Sequence, residues 1–427
     1  MATPPAWTPA RQEGDGKVRS VEEHLEAVLA GIHELPPFRQ QLMDAHGCTL
    51  CEDVEAGVDL PAFDNSAMDG YAVRGEDVAN ASEAHPVVLP VVGDLPAGGR
   101  EAHALAPGMA LRIMTGAAMP HGADTVIPVE WTDGGVVKVS VNQAPTDRSY
   151  IRRRGEEVRT GQLLVRSGTH LDARQLALIA SVGRDVVQVR PRPRVVVLST
   201  GSELREPGQP LGEGAIYDAN SFALAAAARE AGAVAYRVGC VSDDEREFLR
   251  VLEDQLVRAD LVVTSGGVSV GAYDVVKQVL SRLGTVEFSR VAMQPGMPQG
   301  FGVVGEDQTP IFTLPGNPVS SYVSFQVFVR PALRKMLGLT PHVTPTVTAT
   351  ATEGWRSPEG RRQYARVAYS LDADGRALVA PVGGSGSHLV AGLAQANALA
   401  VVPEDVREVA EGATLEVVLL DGSGERT

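Results

Sequence analysis

Cysteine is scarce in this chain, three in 427 residues, and aromatic side chains make up only 5%. A secreted disulfide scaffold is thereby excluded. Cys48 and Cys51 form a C-x-x-C pair, but no second Cys or His pair follows at zinc spacing and no βαβ pattern precedes them. They read as two small core residues near a strand. Positive charge is also short: 38 Lys and Arg stand against 53 acidic residues, a net charge of −15. Nucleic acids and anionic membranes are polyanions, so the chain is disfavoured as a general binder of either. An anionic small substrate would need a local basic pocket. No apolar run approaches the roughly 18 residues of a membrane span. Residues 1–18 lack the apolar core of a signal peptide and read as a disordered lead. The expected location is cytoplasmic.

What the chain does have is apolar material for several cores, at 44% hydrophobic residues, and many turn formers, with 45 Gly and 28 Pro. Its length suggests about three domains with room for a small fourth. Ser20 and Glu23 make a capping box. Val21, Leu25, Val28, Leu29 and Ile32 share one face of the helix that follows, which Pro36-Pro37 is expected to end. Between residues 61 and 150, short apolar runs broken by Gly and Pro predict a small β-rich unit. Asp172 is placed to cap a helix through Val182, and residues 185–189 read as a strand. Arg190-Pro-Arg-Pro-Arg194 is a stiff linker.

From there to residue 338 strand and helix signals alternate. Strands are expected at Val195–Leu198, Val234–Val238, Leu261–Val263, Gly300–Val304 and Ile311–Leu314. Helices are expected at Ser221–Ala231, stopped by Gly232, and at Asp244–Arg258, Tyr273–Leu283 and Pro318–Leu337. That alternation predicts a parallel sheet with helices on both faces. Residues 339–427 carry short β-like runs (Thr344–Thr348, Gln363–Tyr369, Ala398–Val402, Leu415–Leu420), expected to form a small β-barrel or sandwich. The fold class is therefore multidomain α/β.

Ligands of parallel sheets bind at loops beyond the carboxyl ends of the strands. Three such loops are rich in small residues: Ser199-Thr200-Gly201-Ser202-Glu203, Thr264-Ser265-Gly266-Gly267-Val268-Ser269 and Leu314-Pro315-Gly316-Asn317-Pro318. Gly admits close backbone approach, and helix N-termini favour anions. Together the loops point to a phosphate-bearing ligand. Glu203, Asp218, Asp243, Asp244 and Asp274 surround them, and carboxylates beside a phosphate site commonly hold Mg²⁺. For Asp218 and Asp244, helix capping is the competing explanation. Upstream, the stretch Pro61–Tyr71, with Asp69 inside it, and the segments Ile113–Ala117 and Ile151–Glu157 read only as polar loops.

The segments FDNSAMDGYAVR, RIMTGA, IRRRGEE, STGSEL, IYDAN, SGGVSVG and LPGNPVS resemble the MoeA family, which includes the E domain of gephyrin. They stand in the family's order and spacing, from about Ser20 to Leu420. The resemblance implies a discontinuous first domain (19–60 and 151–190) and a β-rich inserted second domain (61–150). It also implies a doubly wound α/β molybdopterin-binding domain (191–338) and a C-terminal β-barrel (339–427). It implies insertion of molybdate into adenylylated molybdopterin with release of AMP, a divalent metal such as Mg²⁺, and a homodimer. By motif, functional acids fall on Asp69, Glu203, Asp243 and Asp274, with Glu203 and Asp274 as metal ligands. Thr115 matches a functional Thr. Glu157 stands where many members carry Asp.

Molybdopterin and its phosphate would lie on Ser199, Thr200, Gly201, Ser265, Gly266, Gly267, Ser269, Pro315, Gly316, Asn317 and Pro318. Arg366 and Ser387 match the family's oxyanion residues, with Gln294, Pro298 and Arg290 beside them. One departure is large: many relatives carry two lysines in a K-P-G-K-P segment, and here it reads Gln294-Pro-Gly-Met297-Pro298. The rival readings are a molybdopterin adenylyltransferase, which could instead be a partner, and a gephyrin-like scaffold.

Overall fold

A computed structural model describes residues 18–99, 104–145, 150–267, 275–283 and 285–420. The chain divides into two compact units. One comprises residues 39–46 and 52–187, the other 1–38, 47–51 and 188–427.

The first unit is built on a five-stranded sheet. Its order is Lys138–Val141, Val87–Leu95, Ala110–Ile113, Gly70–Val73, Thr125–Pro128. The β-rich character expected from residues 61–150 is present. Gly70 lies where the central strand passes close to its neighbour, and a Cβ there would sit 2.0 Å from the Ile127 carbonyl oxygen. Tyr71, Leu89, Ile127 and Val139 fill one side of this sheet, and Leu111, Ile113 and Val126 the other. The helix Ala173–Ser181 begins at a capping box of Asp172 with Gln175, as the sequence suggested.

The second unit holds a seven-stranded sheet. Its order is Val18–Arg19, Val286–Val291, Pro298–Val304, Thr309–Leu314, Leu261–Ser265, Arg194–Thr200, Val234–Val241. Continuous Val and Leu runs such as Val195–Leu198 and Leu261–Val263 are buried on both faces, as expected for strands covered by helices. The helices Asn220–Glu230, Glu245–Leu256 and Val275–Leu283 fall close to their expected spans. Gly232 follows the first of them at φ +86°, a left-handed stop.

The sheet is mixed rather than wholly parallel. Residues 298–304 run antiparallel to both 286–291 and 309–314. Short connections cannot cross over between parallel strands, so these segments pair as hairpins. The first helix also departs from expectation. It spans Val21–Ala30 and stops at Gly31, whose N–H bonds back to Leu29 and Val28, before Pro36 is reached. The run from Pro318 to Met336 contains a π-helical turn at Phe325–Val329.

The C-terminal strands close on themselves. Arg362–Leu371 pairs with Ala377–Pro381 and with Ala398–Val402, while Val347–Ala351 and Thr414–Leu419 complete a five-stranded barrel. Val367, Val379, Ala400 and Val417 fill its interior. Of the two alternatives read from the sequence, the barrel is the one formed. Cys48 is buried and Cys51 half-buried, both free and flanking the short strand Thr49–Leu50. Burial pushes both thiols up.

Candidate active site

The strand Arg194–Thr200 ends in Gly201, and the strand Leu261–Ser265 beside it ends in Gly266-Gly267. The Gly266 N–H donates to Leu314 O at 3.1 Å, joining the second loop to the third. Asn220, first residue of its helix, donates from Nδ2 to Ser265 Oγ at 2.8 Å and to Gly316 O at 2.7 Å. One amide thus fastens two of the three small-residue loops. Gly266 sits at φ +96°, and a Cβ there would lie 2.6 Å from Thr200 O and 3.1 Å from Thr200 Oγ1. That Thr200 hydroxyl is buried with no partner among the described residues. The structure therefore brings together Ser199, Thr200, Gly201, Ser265, Gly266, Gly267, Pro315, Gly316 and Asn317. Ser269 and Asp274 lie outside the described residues.

Beneath these loops is a network whose partners the sequence did not reveal. Asp218 is 2% exposed. It accepts from Ser199 Oγ at 2.9 Å, from the Ser221 N–H at 3.1 Å and from the Ser221 hydroxyl. It lies one residue before the N-cap, Ala219, of the helix Asn220–Glu230 and takes up the N–H of Ser221 in its first turn. Asp244 likewise accepts from the Glu247 N–H and caps the helix that follows it. Arg237 grips Glu206 with two bonds of 2.8 Å and stands 3.8 Å from Asp218. Cys240 completes a group of Glu206, Asp218 and Cys240 with metal-like spacing. Burial, then the charges of Asp218 and Glu206, push its thiol up to about 11. With Arg237 already paired to Glu206 and standing beside Asp218, the group acts as an internal brace.

At the rim, Ser202 donates to Asp243 Oδ2 from both N and Oγ, each at 2.9 Å. Glu203 is exposed, and among the described residues no side chain donates to its carboxylate. Asp69 and Thr115 are brought together in the first unit. The Thr115 N–H and Oγ1 donate to Asp69 Oδ1 at 2.7 and 3.0 Å. These bonds, the backbone one foremost, hold the Asp69 carboxyl below the usual range.

The barrel carries a cavity of about 250 Å³, lined by Gln294, Trp355, Arg356, Gln363, Arg366 and Ser385 among others. Arg366 is 5% exposed. Its guanidinium donates to Leu389 O at 2.7 Å, to Gly386 O at 3.1 Å and to Gly384 O. Ser387 lies in the loop so held. Its Oγ accepts from Asn317 Nδ2 at 3.0 Å and its carbonyl from the Val319 N–H at 3.0 Å. Arg290 and Pro298 face each other in a strand pair, and Arg290 Nη2 lies 3.3 Å from Met297 Sδ.

Comparison with known proteins fits this layout. Residues 19–183 match the model of the MoeA N-terminal region (domain I and II), 196–335 that of a probable molybdopterin binding domain, and 348–420 that of the MoeA C-terminal region (domain IV). A Mycobacterium tuberculosis (strain ATCC 25618 / H37Rv) protein named molybdopterin molybdenumtransferase 2 is 47% identical over 406 residues, covering 94% of this chain and 99% of its own. The chain belongs to the MoeA family. A Nostoc member named molybdopterin molybdenumtransferase is 38% identical, covering 89% of this chain and 88% of its own. A solved MoeA structure from Pyrococcus horikosii, described as a molybdopterin biosynthesis protein, is 34% identical. It superposes with a TM-score of 0.76 over 95% of this chain and 100% of its own. No helix among the described residues is long and apolar enough to cross a membrane. Of the MoeA residues carried over by motif, Gln294 and Arg366 share one cavity, Asp69 binds Thr115, and Ser387 binds Asn317. Asp218 and Asn220 stand in the IYDAN segment without an assigned role there, and Arg356 had no reading, because its place on the cavity wall depends on neighbours distant in sequence.

Proposed function

We propose that the chain is a molybdopterin molybdenumtransferase that inserts molybdate into adenylylated molybdopterin and releases AMP. The observation that carries this reading is the fastening of small-residue loops at one sheet edge by Asn220, with the unpartnered Thr200 hydroxyl buried beneath them. Backbone N–H groups and a buried hydroxyl donor suit phosphate oxygens. Ser199, Thr200 and Gly201, then Ser265, Gly266 and Gly267, and then Pro315, Gly316, Asn317 and Pro318 bind the pterin phosphate and the adenylate. The Glu203 carboxylate, exposed and unengaged beside them, has the hard oxygen chemistry that Mg²⁺ requires. Glu203 with Asp274 would hold that ion, which when bound supplies Lewis-acid stabilisation of the phosphoanhydride. Asp69, held by Thr115, or Asp243, held by Ser202, would orient an attacking oxygen. Gln294 and Arg366 line the oxyanion pocket, with Pro298, Arg290 and Ser387 beside it.

The family arrangement divides the chain into 19–60 with 151–190, 61–150, 191–338 and 339–427. We read the enzyme as cytoplasmic and homodimeric, with a separate adenylyltransferase supplying its substrate. A monomer in sedimentation equilibrium would remove the dimer from this reading. The deciding experiment incubates pure protein with adenylylated molybdopterin. AMP should appear only when molybdate and a divalent cation are both present. Equal AMP release in EDTA removes the metal role, and pyrophosphate release from ATP would identify an adenylyltransferase instead.

A further inference from the structure

We infer that Arg356 supplies a second positive charge, beside Arg366, that meets the oxyanion in this chain, a role that rests on the molybdate-transfer reading above. The two positions where many relatives carry lysine are the neutral Gln294 and Met297. A dianion would still need a cation at the pocket. Arg366 also lines the cavity, but three of its five N–H donors go to carbonyls of the 384–389 loop, so it holds that loop as well as facing the pocket with a single charge. Arg362 is paired with Glu22 and with Glu404 at 3.0 Å. Arg290 rests on the Met297 sulfur and is not part of the cavity wall.

Arg356 does line the cavity, beside Gln294 and Ser385. Among the described residues no carboxylate reaches ion-pair distance of it, including Glu408 directly across the ladder. Its backbone is fixed rather than loose. The strand Trp355–Arg356 pairs with Glu408–Val409, the Ser357 N–H donates to Arg407 O at 2.8 Å, and Trp355 Nε1 donates to Gln363 Oε1 at 3.0 Å. An arginine fork so presented can bind two oxygens of a tetrahedral anion at once.

The test measures binding of molybdate, and of tungstate as an unreacting stand-in, to the full chain by calorimetry, separately from any AMP assay. Arg356→Ala should raise the dissociation constant by roughly tenfold or more, the scale of one lost charged hydrogen bond. Arg356→Lys, which keeps the charge but not the fork, should recover part of that loss. AMP affinity in both variants should match the native protein, which reports an intact sheet edge. Molybdate affinity unchanged in Arg356→Ala, or lost equally in the Ala and Lys variants, overturns the assignment. If molybdate binding depends on Arg356 but molybdate never triggers AMP release, the proposed reaction falls while the anion assignment stands.

Discussion

The sheet edge and the barrel cavity lie in the same unit and are built on opposite plans. At the edge, side chains are spent on one another: Asp218 on Ser199 and Ser221, and Asn220 on Ser265 and Gly316. Among the described residues, what these loops leave free is backbone and the Thr200 hydroxyl. In the cavity a few guanidinium groups decide the electrostatics, and the most buried of them is already committed to carbonyls. A site made of backbone geometry tolerates little change in shape. A site made of a few charges can be rewritten by substituting them. Neutral Gln294 and Met297, at positions where the family resemblance implies lysine, fit the second plan.

The largest expected effect breaks the edge. Asp218→Ala leaves the buried hydroxyls of Ser199 and Ser221 and a helix N–H without their acceptor. It should cost about 3–5 kcal/mol of stability, read as a lowered midpoint in urea. A loss under about 1 kcal/mol would mean that the edge is not braced by this network. Next come Glu203→Gln and Asp274→Asn, each expected to lower AMP release by more than roughly tenfold with the fold intact. Near-normal turnover in a metal-saturated assay would make both structural acids.

The cavity should respond more gently. Gln294→Lys with Met297→Lys should lower the molybdate concentration for half-maximal AMP release by roughly tenfold and make it more sensitive to salt. No change in a folded double variant would place the oxyanion elsewhere. Smallest is Thr115→Val, which removes the hydroxyl but keeps the backbone N–H, the larger cause of the depressed Asp69 carboxyl. The Asp69 titration, followed by NMR, should therefore rise only part of the way to its ordinary value. Because that pKa is depressed, the interaction is fully present above the unfolded value near ~3.9 and is lost as pH falls through the folded one. A full return to the ordinary value would assign the effect to the hydroxyl alone.

Local signals were the legible ones. The capping boxes at Ser20 and Asp172, the Asp244 cap and the Gly232 stop all involve groups a few residues apart, so the sequence carries them directly. The buried Val runs placed the central strands for the same reason. What could not be read depends on distant partners. The antiparallel return of residues 298–304 and the closing of the barrel through Ala377–Pro381 are settled by pairings across the chain. Arg237 meeting Glu206, and Arg356 reaching the cavity wall, are settled by tertiary placement. Pro36 misled because Gly31 had already ended the helix.

The bond from Asn317 to Ser387 joins the loop that opens a helix at the sheet edge to the loop that walls the barrel cavity. Under the proposed function AMP would rest on one side of this bond and molybdate on the other, and any coupling between them is reciprocal. Whatever factor bound AMP imposes on molybdate affinity, molybdate must impose on AMP. Titrating each ligand in the presence of the other measures that factor, and Ser387→Ala should bring it toward one. An enzyme wired in this way would favour one order of arrival and departure for its two anions without any large movement of its domains.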